Sequence, residues 1–281
     1  MEFNMNSDPQ KLFDFVVSSP YDYRAKHVRA VSLVELGASA FPVYDQILAF
    51  IERDHPDEWW HWEQLMNVLK NVDMARGREV PPRTRIVLSH AFLQLLKVHH
   101  KKKDLTWGIA QLGQYALPAV LDCLPNNREF FTGVLSTMGK DARAALPVLL
   151  ELARSASPAR RTALFSLGKL EIYTEEIETA LREGLELERR RDRRDDGEIV
   201  AAILVVGHIG IQAAGLAPQL MKILDDDYFQ YRTCAAKALG ALGAAGRVAI
   251  PVLERYSKAN DPELCQACTA ALQQLNTSLE Q

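Results

Sequence analysis

The chain has 281 residues, 48% hydrophobic and 25% charged, with 33 basic and 36 acidic side chains and a net charge of −3. That is ordinary globular composition, with apolar material enough for a core and no net charge that would mark a general polyanion binder. Four cysteines in a chain of this length are no disulfide scaffold, so a reducing, cytoplasmic setting is expected; no signal peptide is read in Met1 to Asp8, and no run reaches the roughly 18 uninterrupted apolar residues of a membrane span.

In chain order, apolar residues recurring at the helical period predict helices over 9–18, 21–36, 42–53, 57–75, 82–99, 104–113, 115–124 and 127–138. The second half continues with 143–154, 158–169, 174–192, 196–209, 213–224, 229–241, 247–258 and 261–276, and no segment reads as a strand. Asp8-Pro9, Ser19-Pro20, His55-Pro56, Ser157-Pro158 and Asp261-Pro262 each place proline at a candidate first helical position. There its missing N–H has no partner to lose. Thr174-Glu-Glu starts a further helix with acids at its positive end, and Asp195-Asp-Gly-Glu198 is a variant capping box.

A repeat runs through these elements. Gly139 to Pro147, Gly210 to Pro218 and Gly243 to Pro251 each span eight residues and enclose alanines, and shorter copies are Gly37 to Pro42 and Gly113 to Pro118. From Pro118 to Pro147 is 29 residues and from Pro218 to Pro251 is 33, enough for two short helices and their turns. In this register the glycine ends one helix, the alanines permit close approach, and the proline starts the next helix.

Tyr231-Arg232, Ala235-Ala236, Ala238-Leu239-Gly240, Gly243, Ala249, Pro251 and Leu253 resemble the HEAT-repeat family, in the bacterial form of the phycobilisome-lyase-like proteins. Arg160, Leu164, Leu167 and Gly168 match a second copy; Ala202, Val206, Gly207 and Gly210 match a third. The resemblance covers about 105–276 and extends to 21–53, whereas 54–104 is aromatic and charged where the family is alanine-rich. It implies an all-α, right-handed superhelix of about eight helical pairs, one solenoid over 1–281 with 54–104 as divergent repeats. It also implies binding rather than catalysis: an adaptor, an assembly factor or an immunity-type inhibitor. The other functions it carries are a phycobilin-lyase-like enzyme subunit and a glycosylase-like nucleic-acid binder.

Motifs of chemistry are sparse. The seven histidines form no His-Glu-x-x-His pattern, and none precedes a glutamate, as an iron-holding HEAT enzyme would require. Cys265-Gln-Ala-Cys268 has no second pair to complete a zinc site, and Cys268 falls at the repeat position of Ala235, a small core site. Gly133 to Lys140 is one residue too long for a phosphate loop and reads as a helix end. No catalytic residue, metal or cofactor is therefore expected. The basic clusters 99–103 and 189–194 read as solvated helix ends.

Two features remain as binding candidates. Four residues after each repeat proline stand Gln46, Asp122, Glu151, Lys222 and Arg255; one turn on, Arg154, Asp225 and Lys258 continue the row. On the second helix of each pair this row would line a concave face, and its mixed signs suit a protein partner better than nucleic acid. The other is Trp59-Trp60-His61-Trp62: adjacent helical residues are about 100° apart, so the three tryptophans do not all point into one core and at least one is expected to be partly exposed, as a partner contact or as the edge of a cluster packed against the N-terminal helices.

Overall fold

The computed structural model describes residues 8–18, 23–53, 59–77, 79–98, 102–186, 197–225 and 229–277. Among them are sixteen α-helices and no strand. In the first half these are α1 (Pro9–Ser18), α2 (Tyr23–Glu35), α3 (Tyr44–Glu52), α4 (Trp59–Ala75), α5 (Pro82–Val98), α6 (Lys102–Gln111), α7 (Leu117–Cys123) and α8 (Arg128–Met138). In the second half they are α9 (Leu146–Arg154), α10 (Arg160–Lys169), α11 (Glu175–Leu185), α12 (Gly197–Ile209), α13 (Ala217–Leu224), α14 (Phe229–Ala241), α15 (Ile250–Tyr256) and α16 (Pro262–Thr277). The chain divides into two compact units, Met1–Asp141 and Ala142–Gln281.

Each unit is a double layer. In the second, α10, α12, α14 and α16 stack side by side as one layer, while α9, α11 and α13 form the other, joined by α15 through the linker before it. In the first, α2 packs on α4 and α6 on α8, while α3, α5 and α7 stack as the second layer. This is an all-α superhelical repeat fold.

The Gly-to-Pro repeats are the linkers between layers, and they fold as 3-10 turns over Gly37–Val43, Gly113–Tyr115, Gly139–Ala145, Gly210–Leu216 and Gly243–Ala249. Their first glycines have φ between 52° and 68°, the left-handed region that a side chain would strain. The tight turns consume residues expected to be helical, so α9, α13 and α15 start about three residues later than predicted. Pro118, Pro147, Pro218 and Pro251 do stand in the first turn of their helices. Pro42 does not: it lies inside the 3-10 turn, and α3 begins at Tyr44.

The expected caps at both ends are made. The Asp8 carboxylate accepts from the amides of Gln10 (3.0 Å) and Lys11 (3.3 Å), and the Asp261 carboxylate from those of Glu263 (3.1 Å) and Leu264 (3.2 Å). Thr174 accepts from the Ile177 amide, as expected for α11. Ser157 caps nothing: its hydroxyl accepts from Ser155, and α10 begins at Arg160. Ser19-Pro20, His55-Pro56 and the Asp195-Asp196 half of the capping box lie outside the described residues.

Small residues set the spacing of the stacked helices in the second unit. A Cβ on Gly168 would come 2.8 Å from Val205 of α12, and one on Gly240 would come 2.8 Å from the backbone of Ala271 in α16. The predicted stripes Leu164, Leu167, Leu170 and Leu220, Ile223, Leu224 are all core. The segment Gly197–Leu224 is apolar enough to pass for a membrane span, yet it is a helix, a 3-10 turn opened by Gly210, and a second helix.

One linker lacks its glycine. After α10, Glu171 takes a φ of 53°, and Arg143 from the preceding linker donates to the carbonyls of Leu170 (2.8 Å) and Glu171 (3.0 Å). These bonds hold a conformation that costs a non-glycine residue about 1 kcal/mol. Glu171→Gly is therefore expected to raise stability by about 0.5–1 kcal/mol in urea unfolding, because the Glu171 side chain gives up only a 3.9 Å surface contact with Arg143.

Candidate functional site

The row of polar side chains falls on the layer of second helices in each unit, where the repeat register places it. Gln46, Asp122, Glu151, Arg154, Lys222, Arg255 and Lys258 are all exposed, Lys258 in the turn just after α15. Most of the row is engaged between successive helices. In the first unit Gln46 exchanges hydrogen bonds with Gln10 of α1, at 2.7 and 2.9 Å. Beside it Asp45 meets Arg83 of α5 at 3.3 Å, and Arg85 of the same helix grips Asp122 of α7 with both its Nε and an Nη. The Arg85 guanidinium, through its hydrogen bonds, holds the Asp122 carboxyl below the usual carboxylate range.

In the second unit Arg154 of α9 reaches Glu183 of α11 at 3.2 Å, and Gln219 of α13 donates to Glu186 at 3.4 Å. Arg255 of α15 pairs with Asp225, which also accepts from the Tyr256 hydroxyl at 3.1 Å. Arg232 and Arg255 both lie over the Tyr256 ring, 4.9 and 4.7 Å from its centre. Within each unit these contacts tie successive repeats together, a use of the row that its register alone did not reveal. Exposed pairs of this kind add little stability singly. Glu151, Lys222 and Lys258 have no side-chain partner among the described residues.

The tryptophans are a different case. Trp59, Trp60 and Trp62 belong to α4, and their side chains lie outside what is described. Residues 99–101 and 187–196, with most of both basic clusters, lie outside it as well.

The divergent segment holds something else, which no motif announced. Asp73 of α4 is 3% exposed and accepts from the hydroxyls of Tyr44 (2.6 Å) and Tyr115 (2.8 Å); the Tyr44 oxygen also lies 2.7 Å from Thr84 of α5. Burial, then the hydrogen bond to Asp73, pushes the Tyr44 hydroxyl from 10.0 up to about 12. Burial, then the neighbouring Tyr44 and Asp73, pushes Tyr115 up as well. The four groups come from α3, α4, α5 and the linker before α7, so the cluster is a closed polar knot in the core rather than an open site.

Cys123 and Cys268 are buried, and Cys234 and Cys265 are half-buried. Cys268 is fully buried, as is Ala235 at the equivalent repeat position, and burial pushes its thiol up to about 11. Cys265 donates to the Ser257 carbonyl at 2.6 Å. Gly139 ends α8 with a φ of 57°, so the stretch from Gly133 to Lys140 is a helix and its terminus, as read from its spacing. Among the described residues no three His, Cys, Asp or Glu side chains gather as a metal site.

The sequence matches no family model and no curated protein. Among solved structures it is similar to a crystal structure of a Kap121p mutant, with a TM-score of 0.60 and 12% identity over 96% of this chain and 33% of that one. The chain thus spans about a third of the length of that HEAT-repeat karyopherin, and the likeness is one of fold: a superhelical stack of helical repeats.

Proposed function

We propose that the chain is a non-enzymatic protein-binding repeat protein, an adaptor, assembly factor or inhibitor working in the cytoplasm, that holds its partner on the layer of second helices. One observation carries this reading: among the described residues, Glu151, Lys222 and Lys258 stay exposed with no side-chain partner once the inter-repeat contacts are made. Charges of both signs left over on a regular surface orient a partner of complementary pattern and speed its encounter. A polyanion is disfavoured there, because Glu151, Glu183, Glu186 and Asp225 stand among the bases. Trp59, Trp60 and Trp62 are proposed as a second, aromatic contact.

Affinity capture of the tagged chain from its host, with mass spectrometry of what co-purifies, tests the reading. A defined protein is expected, whose association is slowed about tenfold in the double variant Lys222→Glu, Lys258→Glu and falls with salt. Recovery of nucleic acid without protein, or full association of the double variant, would overturn it.

A further inference from the structure

Cys265 and Cys268 stand three residues apart in the first two turns of α16, which starts at Pro262 behind the Asp261 cap. Residues so spaced lie on one face of a helix with their Cα atoms about 5 Å apart, inside the roughly 4.4–6.8 Å that a disulfide spans. Their surroundings differ. Cys268 is wholly buried and Cys265 half-buried, so solvent reaches one thiol and not the other. After burial itself, the Cys265 sulfur is the neighbour that does most to push the Cys268 thiol up to about 11, which puts the two groups within electrostatic reach. Cys234 on α14 is half-buried too, and its charged neighbours are Lys237 and Glu263.

Cys265 is also a structural donor. Its thiol bonds the carbonyl of Ser257 at 2.6 Å, across the turn that joins α15 to α16. Ser257 closes α15: its amide donates to the Leu253 carbonyl (2.8 Å) and its hydroxyl to the Glu254 carbonyl (2.9 Å). The hydrogen on the Cys265 sulfur is thus one tie between the start of α16 and the end of α15, and any bond that replaces this hydrogen cuts the tie.

We infer that Cys265 and Cys268 form a reversible disulfide, made by a low-molecular-weight disulfide such as oxidised glutathione, and that its closure releases the α15–α16 turn. The Cys265 thiolate, the one solvent reaches, attacks a sulfur of oxidised glutathione, forms a mixed disulfide and expels one glutathione thiolate. The Cys268 thiolate then attacks the Cys265 sulfur, closes the Cys265–Cys268 bond and expels the second. Both thiol protons pass to the departing thiolates; the protein gives up two electrons and the glutathione disulfide accepts them. Cβ atoms three apart on a helix are about 5–6 Å from each other, against roughly 3.5–4.5 Å in an unstrained bridge, so the bond closes under strain and is readily reduced again. The site does not rest on the partner surface proposed for the second helices.

The test incubates the full chain with oxidised glutathione to equilibrium, alkylates it in urea and maps its peptides by mass spectrometry. The four free thiols are expected to fall to two, with Cys265 joined to Cys268 and no glutathione kept on either, and dithiothreitol is expected to restore all four. Cys268→Ala places there the residue that Ala235 supplies at the equivalent position of the preceding repeat, and is expected to keep one glutathione on Cys265; Cys265→Ser is expected to take none on Cys268. Circular dichroism identical to the parent shows that both variants fold. In hydrogen exchange the oxidised chain is expected to lose protection at the Ser257 and Ala259 amides by about tenfold or more. The inference is overturned if all four thiols survive, if the parent chain keeps glutathione on Cys265, if Cys265 pairs with Cys234 instead, if the bond forms only in urea, or if exchange at the turn is unchanged by oxidation.

Discussion

Asp73→Ala is expected to destabilise the first unit by about 3–5 kcal/mol, read as a shift of its urea midpoint. The substitution takes the shared acceptor from two buried tyrosine hydroxyls, Tyr44 and Tyr115, and Tyr44 alone keeps another partner, Thr84. Each orphaned donor costs about 1–3 kcal/mol, and the vacated volume adds to that. Asp73→Asn retains a carbonyl acceptor of the same shape and is expected to lose less than half as much. The pair Asp73→Ala and Tyr115→Phe should be strongly non-additive, because each removes the same bond. If Asp73→Ala costs no more than a surface substitution, the cluster does not hold the unit together.

The same cluster predicts alkaline sensitivity. Tyr44 is held neutral in the fold up to about 12 against 10.0 when free, so its contribution is complete below pH 10 and is lost as the pH rises from there to about 12. Stability should fall there by about 1.4 kcal/mol per pH unit for each tyrosine so held, and the slope should flatten in Tyr44→Phe.

Gly246→Ala is the second large effect, about 3 kcal/mol or more in the second unit. A Cβ there would run into the backbone carbonyl of Leu239 in α14 and come 2.9 Å from Leu275 of α16. The Leu275 methyl can turn aside, but the Leu239 carbonyl is backbone, so a helix must shift. Gly37→Ala is the contrast. It meets open space and carries only the strain of a φ of 52°, about 1 kcal/mol. Chemical unfolding of both variants separates packing from backbone strain; equal losses would contradict the close approach described for Gly246.

The architecture was legible because its punctuation is physical. A glycine that needs positive φ and a proline that needs the first turn recur together, and the helices fall between them. The errors came from the linkers, where 3-10 turns shorten the following helix. The turn at Glu171 was not read at all, because there Arg143 does by hydrogen bonding what glycine does by having no side chain. The row on the second helices was legible as exposed. That Asp122, Arg154 and Arg255 are tied to Arg85, Glu183 and Asp225 was not, because a partner about 30 residues away leaves no local trace. The Asp73 cluster was hidden for the same reason: its hydrogen-bonded pairs are separated by 29 to 42 residues and fit no motif.

The two layers of the second unit are joined by materials of different stiffness. Along α10, α12, α14 and α16 the helices touch through glycine, alanine and valine, contacts with almost no travel. Along α9, α11, α13 and α15 they are bridged by arginine, glutamate, aspartate and glutamine, whose long chains lengthen or shorten at little cost. Under load such a unit is expected to give more along its polar layer than along its small-residue spine. A partner seated on that layer would meet a surface whose pitch adjusts to it, while one seated on the spine would meet a surface that does not yield.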